Sequence, residues 1–398
     1  MTDAATESSP PLPAGGPDLM FDRFEGDALH DMLRAARALG PVVPATAAGQ
    51  PCMLITTYAA LREFFTAQET FPGGVMYEFT TAPHIGRTFI SMDGPDHDAY
   101  RQLAMPAFRS RATARFIDNE LTPLAHELID RFAARGHADL ATEFVQVLPF
   151  WSISRKLGLP LGSEDRQRQW ASDLLNFPQD PIGARRAADE VGAFLAPIVE
   201  ERRRDPQDDV ISHLLQGEYN GVRFTDEEVF AHVRLLYAVG ATTTSDGLST
   251  LLRTVLGDAT LLARARSDRA LLPRIVQESL RFEPPVSLLP RFAANQGTIA
   301  GFEIPANTVV MCGIASANRD PAVFAHPDRF DPDRAESEIL TFGFGSKYCP
   351  GSHLARQQML TALDVLLDRL PGLRLVDASE PVNGVLRRVE RIEAAWEM

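Results

Sequence analysis

One cysteine, Cys349, stands in the glycine-rich apolar loop FGFGSKYCPG at positions 342–351, directly before a segment with helical periodicity. A thiolate ahead of a helix meets unpaired backbone amides and the positive end of the helix dipole. Glycines let the backbone approach a flat ligand closely, and Phe342 can cover the sulfur. These residue types at this spacing indicate a thiolate that binds a metal as an axial ligand.

Two other interpretations of Cys349 are open. An isolated cysteine after a glycine-rich turn is most often a small buried hydrophobic residue. Alternatively, His353, four residues on, could activate Cys349 as a nucleophile for thioester chemistry. The nucleophile is the weaker interpretation, because the sequence shows no oxyanion donor and no acidic residue to orient His353.

The spacing of the loop resembles the haem-binding loop of the cytochrome P450 family, FxxGxxxCxG. Four residues meet this pattern: Phe342, Gly345, Cys349 and Gly351. Three further motifs precede the loop in the family's order: ESLR at 278–281, NRDP at 318–321 and HPDRF at 326–330. The resemblance runs from about residue 25 to the end. It implies haem b (iron protoporphyrin IX) bound through Cys349, in a monooxygenase that inserts one oxygen atom of dioxygen by hydroxylation, epoxidation or dealkylation.

Several cations could pair with the haem propionates. His97 and Arg101 stand four residues apart on one face of a predicted helix, where both could bind one anionic group. A solvated helix face explains the same spacing. Arg291 and Lys347 are further candidates, with ordinary surface charge as the alternative. The family usually has His or Arg at the position of Lys347.

The motif ESLR places Glu278 and Arg281 on one helix face, where an exposed ion pair would contribute under ~1 kcal/mol. The resemblance implies a structural role instead. In that interpretation Arg329, from the segment HPDRF, joins the pair and locks the proline-rich meander at about 320–334 behind the haem.

A long helix is predicted over residues 225–256, and its middle, YAVGATTTSDG, is rich in Gly and Thr. Threonine hydroxyls can bond carbonyls one turn back and bend a helix, so a bulge over a ligand is one possibility. A plain packing face of small residues is the other.

The resemblance assigns this helix to dioxygen activation, and Gly240 and Thr243 match the family. Thr242 departs from it, because an acid usually precedes the threonine. We hypothesise that Thr242 and Thr243 hold a water chain with Asp246 as proton source. The departure also motivates an alternative function, a haem-thiolate protein that binds or senses a ligand with poor turnover. Peroxide-driven chemistry is a third option, although the stretch lacks the arginine that such members often carry.

The rest of the chain predicts a mainly α fold with a smaller β-rich part, the cytochrome P450 fold. Residues 1–17 are predicted to be disordered and residues 18–398 to form a single domain. Helix dominates from about 96 to 282 and ends before Pro284 and Pro285. Residues 71–92 are predicted to be an irregular loop.

The formal net charge of −14 excludes nucleic acid and anionic membrane as expected partners. Cys52, Cys312 and Cys349 are far apart, which favours reducing cytosol over a disulfide framework. No export signal or span of ~18 apolar residues is visible, so we expect a soluble cytoplasmic protein, and a monomer.

An apolar pocket for a small or medium hydrophobic substrate is expected from the loop near residue 80, the long helix and the strand after Pro285. Its candidate residues are Met76, Phe79, Phe89, Ile90, Leu174, Leu175, Ala238, Ala241, Val286, Leu288 and Leu289. The resemblance implies separate electron donors, a ferredoxin with its reductase or a flavodoxin. Basic residues could face an acidic partner: Arg109, Arg111, Lys347 and Arg356.

Overall fold

The structure is a computed structural model that describes residues 16–160, 162, 164–335 and 337–398. The longer helices in chain order are α1 (Ala28–Leu39), α2 (Tyr58–Thr66), α3 (Val75–Thr80), α4 (Ala82–Ile85), α5 (Gly94–Ala104), α6 (Ser110–Phe116), α7 (Thr122–Asp130), α8 (Leu148–Leu157), α9 (Glu164–Leu175), α10 (Pro181–Arg204), α11 (Val210–Gln216), α12 (Asp226–Gly257), α13 (Ala259–Ser267), α14 (Leu272–Phe282), α15 (Ile314–Ala317) and α16 (Ser352–Arg369). The strands are β1 (Val42–Ala47), β2 (Gln50–Ile55), β3 (His137–Asp139), β4 (Leu288–Ala293), β5 (Gly297–Ile299), β6 (Phe302–Ile304), β7 (Thr308–Gly313), β8 (Arg374–Ala378) and β9 (Ile392–Ala395).

Local sequence signals explain where several helices begin and end. The Thr57 side chain accepts the amide of Ala60 at the start of α2, and Asp258 accepts two amides at the start of α13. Helix α14 ends at Phe282, before the Pro284 and Pro285 pair that was predicted to stop it. These signals are local, so the sequence predicts them well.

The first of two compact units comprises residues up to 73, 249–349 and 378–392. Its main sheet has the order β1-β2-β7-β4, with β2 and β7 parallel and the outer pairs antiparallel. Leu54, Leu288 and Met311 are fully buried in one core cluster beside this sheet. Strands β5 and β6 form a separate antiparallel hairpin.

The second unit comprises residues 74–248, 350–377 and 393–398. It is mainly helical, and its core cluster includes Val233 and Leu236 of α12 and Leu195 of α10. The sheet β3-β9-β8 is its small β component. The predicted class, mainly α with a smaller β part, is confirmed.

The prediction of an irregular loop at 71–92 is wrong in part. The segment contains α3, α4 and a short 3₁₀ turn at Phe89–Ser91, and Gly86, with φ +104°, ends α4 before that turn. Helical pieces this short carry too few periodic positions to be recognised in a sequence.

Most of the segment predicted to be disordered, residues 1–15, lies outside the described residues. The assignment of residues 18–398 to one domain stays a prediction. In the described part of the chain, no helix combines the length and the apolar character that crossing a membrane requires.

Candidate active site

Backbone conformation and a backbone hydrogen bond within the loop around Cys349 define its shape. Gly343 and Gly345 have φ values of +74° and +72°, which favour glycine. The Cys349 N–H donates to the carbonyl of Phe342 across 2.8 Å, and a 3₁₀ turn at Gly345–Lys347 lies between them. A Cβ on Gly345 would stand 3.2 Å from the Phe65 carbonyl oxygen, so this position has little room for a side chain. The backbone therefore presents Cys349 from a tight loop, three residues before α16 begins.

The three cysteines differ in their accessibility. Cys52 in β2 and Cys312 in β7 are buried, and burial raises the pKa of each thiol to about 12. Cys349 is only half-buried. A sulfur that must bind a ligand from outside the chain needs this exposure, so Cys349 fits a thiolate ligand and the two strand cysteines fit packing. Cys349 is therefore more accessible than a small buried hydrophobic residue would be, which disfavours that interpretation.

Glu278 and Arg281 in α14 form a buried bidentate ion pair. Two guanidinium nitrogens of Arg281 donate to the Glu278 carboxylate, each across 2.8 Å, and the side chains are only 5% and 1% exposed. Arg281 also donates to the carbonyls of Asn318, Pro327 and Arg329. The pair therefore ties α14 to the meander, as the resemblance implied, and an exposed pair is excluded.

The second arginine side chain that binds Glu278 is that of Arg334, and the prediction of Arg329 is wrong. The Arg334 Nε lies 3.3 Å from both carboxylate oxygens of Glu278, and its Nη2 donates to the Arg329 carbonyl across 2.8 Å. Arg329 contributes that backbone carbonyl, while the residue itself is exposed. The tripeptide PDR occurs twice, at 327–329 and 332–334, and nothing within the tripeptide distinguishes the two arginines.

Helix α12 runs without interruption through its Gly- and Thr-rich middle. The hydroxyls of Thr242 and Thr243 donate to the carbonyls of Ala238 and Val239, across 3.0 and 2.9 Å. No bulge occurs there, so of the two alternatives the structure has the uninterrupted helix: the hydroxyls bond the carbonyls in addition to the helical ladder rather than replacing it. Asp246, one turn on, is buried with 7% of its surface exposed.

The chain is similar in sequence to known proteins. The family description cytochrome P450 matches residues 251–371. Cyclomarin C epoxidase CymV of Salinispora arenicola is 35% identical over 292 residues, which cover 72% of this chain and 74% of the relative. Mycinamicin IV hydroxylase/epoxidase of Micromonospora griseorubida is 31% identical over 82% of this chain and 84% of its own length.

The fold agrees with that relationship. The crystal structure of CYP108D1 from Novosphingobium aromaticivorans is 30% identical and superimposes with a TM-score of 0.83 over 93% of this chain and 94% of that chain. The chain belongs to the cytochrome P450 family. As a member it is a monooxygenase with haem b as its cofactor. The half-buried thiol of Cys349 in its glycine loop is the group that fits the iron of such a cofactor.

The four residues predicted to pair with the haem propionates of this P450 differ in how deeply they are buried. His97 in α5 is 2% exposed, and its Nδ1 lies 3.2 Å from a carboxylate oxygen of Asp98. Arg101 follows on the same helix and is half-buried. Lys347 is half-buried. Arg291 in β4 is 7% exposed, so the alternative interpretation of Arg291 as an ordinary surface charge is wrong. The propionate contacts themselves stay predictions.

The predicted substrate-pocket residues of this P450 fall into both units. In the second unit Phe89, Leu174, Ala238 and Ala241 belong to the core cluster, with Ile90 and Leu175 packed against it. Met76 is half-buried, while Phe79 is 68% exposed. In the first unit Leu288 is fully buried in the core, and Val286 and Leu289 are half-buried. Their role in substrate binding stays a prediction.

Sequence reasoning missed two residues that the structure makes prominent. Arg334 could have been found from the repeated PDR. His232 in α12, which is fully buried and bonded at both ring nitrogens, gave no signal, because an isolated histidine in an apolar stretch has no motif.

Proposed function

We propose that Cys349 binds the haem iron as its thiolate ligand and that the protein hydroxylates or epoxidises a hydrophobic substrate. The half-buried thiol in the loop at 342–351 supports this most directly. When bound, the haem supplies the dioxygen chemistry. The chain holds the sulfur, orients the substrate and excludes water. His97, Arg101, Arg291 and Lys347 are the proposed propionate partners, since each carries or can carry positive charge.

The carbon monoxide difference spectrum of the reduced protein tests the ligand. Cys349→Ser should lose the thiolate-dependent band, because a serine oxygen cannot replace the sulfur donor. Cys52→Ser is the matched control, since Cys52 is buried in β2 away from the loop in sequence, and it should keep the band. An unchanged spectrum in Cys349→Ser would refute the assignment.

We further propose that the Thr242 and Thr243 hydroxyls hold a water chain and that Asp246 is its proton source. Because each threonine hydroxyl donates its own hydrogen to a helix carbonyl, its oxygen can accept a hydrogen bond from water. Asp246 lies three and four residues on, along the same helix surface. The family usually has an acid at the position of Thr242, and Asp246 is the nearest acid along the sequence that could replace it. Positioned proton transfer typically contributes about 10²–10⁴ in rate.

Product formed per reduced nicotinamide consumed tests the relay in Asp246→Asn and Thr243→Ala. Both variants should form less product per nicotinamide, because electrons then leave without oxygenating substrate. Unchanged coupling in both variants eliminates the relay.

The proposed substrate is a small or medium hydrophobic molecule. We propose that the enzyme receives its electrons from a ferredoxin and its reductase or from a flavodoxin. Two relatives are named as a hydroxylase or an epoxidase, which supports these two reactions over dealkylation. Arg109 and Arg111 are exposed, while Lys347 and Arg356 are half-buried, and all four are candidates to face an acidic donor. A cytoplasmic location and a monomeric state stay predictions.

A second candidate function follows from Thr242, namely a haem-thiolate protein that binds or senses a ligand with poor turnover. Reconstitution with ferredoxin and reductase distinguishes this candidate function from the monooxygenase function. Nicotinamide consumption without any oxygenated product, for every ligand that shifts the haem spin state, would favour the binding function.

A further inference from the structure

His232 connects helix α12 to the short turn at Phe89–Ser91. Its ring is fully buried, its Nδ1 lies 2.7 Å from the carbonyl oxygen of Glu228, and its Nε2 lies 3.1 Å from the backbone nitrogen of Phe89. A carbonyl can only accept and an amide N–H can only donate. The two contacts therefore require a neutral ring with its hydrogen on Nδ1 and a lone pair on Nε2.

The surroundings support the neutral ring. Burial lowers the pKa of His232 to about 4, against a smaller opposing effect of Glu228. Aromatic rings of Phe89, Tyr100 and Phe224 lie 5.7, 6.2 and 4.5 Å from the imidazole, centre to centre. An acceptor for the Phe89 amide is thus built into an otherwise apolar setting.

The backbone before Phe89 approaches the same stretch of α12 at two further points. A Cβ on Gly86 would stand 2.7 Å from the Cβ of Ala231, so only glycine fits. The guanidinium of Arg234 donates to the Ile85 carbonyl across 3.3 Å. The segment 85–89 therefore meets α12 at three points, Ile85, Gly86 and Phe89, and His232 makes the contact to Phe89.

We propose that His232 is a positioning residue that fixes the Phe89 backbone and thereby sets where Phe89 and Ile90 meet the substrate. This inference rests on the proposed function and on the prediction, made from the sequence, that both side chains line the substrate pocket. His232 precedes Thr243 by eleven positions, roughly 16 Å along a helix. It acts on the position of the substrate through the turn and not on the proton relay.

Two amide substitutions separate the contacts of the ring. The side-chain amide of His232→Gln reaches the place of Nε2 and can accept the Phe89 amide, whereas that of His232→Asn reaches only the place of Nδ1. Tyr100→Phe is the matched control, because it removes the 2.7 Å bond from the Tyr100 hydroxyl to the Glu228 carboxylate without touching Phe89.

Hydrogen exchange of the Phe89 amide and the dissociation rate of bound 4-phenylimidazole are measured on the haem-loaded protein. In His232→Asn both rates should rise about tenfold, since the turn opens locally more often. His232→Gln should stay within about threefold of the wild type, and Tyr100→Phe should match the wild type. Equal Phe89 exchange in Asn and Gln variants would overturn the proposal.

The wild type provides a test that needs no variant. With ¹⁵N-labelled histidine at neutral pH, His232 should show a neutral ring protonated on Nδ1, and the Phe89 amide should be protected. A doubly protonated ring or a freely exchanging amide contradicts the proposal. The carbon monoxide spectrum of each variant reports the Cys349 ligand separately, so failure of the haem assignment and failure of the positioning role give different results.

Discussion

Gly240 illustrates how one residue constrains the contact between two helices. A Cβ built at this position in α12 would lie 2.7 Å from Cγ1 of Ile153 in α8. The absent side chain therefore lets the two helices approach closely. The sequence identified Gly240 from the family pattern, but the neighbour that excludes a side chain became known only from the structure.

Gly240→Ala should destabilise the protein although alanine is the better helix former. The gain in propensity is about 1 kcal/mol, while overpacking costs about 1–3 kcal/mol. We expect a net loss of about 1 kcal/mol, measured as a lower midpoint of thermal unfolding. The double variant with Ile153→Ala should lose less than the sum of the single variants, because the clash is gone. Strict additivity would show that Ile153 does not set the limit.

Spacing within one segment predicts a chemical role for a residue, but it does not predict how deeply that residue is buried. The loop spacing predicts Cys349 as the thiolate ligand, a role that stays a prediction, and the structure leaves this thiol half-buried. Surface charge was an open alternative for Arg291, which the structure buries in β4. Burial depends on segments distant in sequence, so spacing within one segment cannot decide it.

The meander after α14 shows the same limit for a larger segment. The motif ESLR correctly indicated an ion pair, but a buried carboxylate needs several donors, and the second guanidinium comes from Arg334 instead of Arg329. The two arginines stand in identical tripeptides five residues apart. Only the path of the backbone, which turns the Arg329 carbonyl toward both Arg281 and Arg334, distinguishes them.

Substitution of the two meander arginines should have unequal effects. Arg334→Ala removes one of two guanidinium partners of the buried Glu278 and should cost about 1.5–3 kcal/mol of unfolding free energy, because Arg281 still pairs with the carboxylate. Arg329→Ala keeps the backbone carbonyl, and because Arg329 is exposed it should change stability by no more than about 0.5 kcal/mol. Urea unfolding of both variants measures the difference. A larger loss in Arg329→Ala would restore the original assignment.

The periodicity of the sequence predicts the bounds of helix α12 but not the conformation of its middle. Its predicted bounds, 225–256, differ by one residue at each end from Asp226–Gly257. The bulge that its Gly- and Thr-rich middle left open is absent, and the Thr242 and Thr243 hydroxyls bond carbonyls within an uninterrupted helix. Propensity indicates a weak helix, whereas packing of the helix in its core decides its actual conformation.

Taken across the chain, both compact units have their own apolar core, and the first also contains a buried ionic cluster. Glu283, at the end of α14, accepts from His30 across 2.9 Å and pairs with Arg387 and Arg319. Arg387 in turn donates to the carbonyls of Phe24 and Gly26. The cluster thereby joins segments near residues 25, 283, 319 and 387 that are far apart in sequence.

This cluster should make stability depend on acid pH. Burial alone would raise the pKa of Glu283, but His30, Arg387 and Arg319 lower it to about 2. An acid with a lowered pKa stabilises the fold above its unfolded pKa, near 4.5, and this contribution is lost as pH falls toward 2. The contribution is on the order of 3 kcal/mol. The unfolding free energy should therefore decrease between pH 4.5 and 2.

Glu283→Gln is the variant that isolates this effect, because glutamine keeps the shape of the side chain and cannot titrate. It should be less stable than the wild type at pH 6, since Arg387 and Arg319 lose their buried counter-charge. Toward pH 2 the difference between the two proteins should shrink, because the wild-type carboxyl becomes neutral as well. Denaturant unfolding at several pH values measures this difference, and a constant gap across the range would show that Glu283 does not carry the dependence.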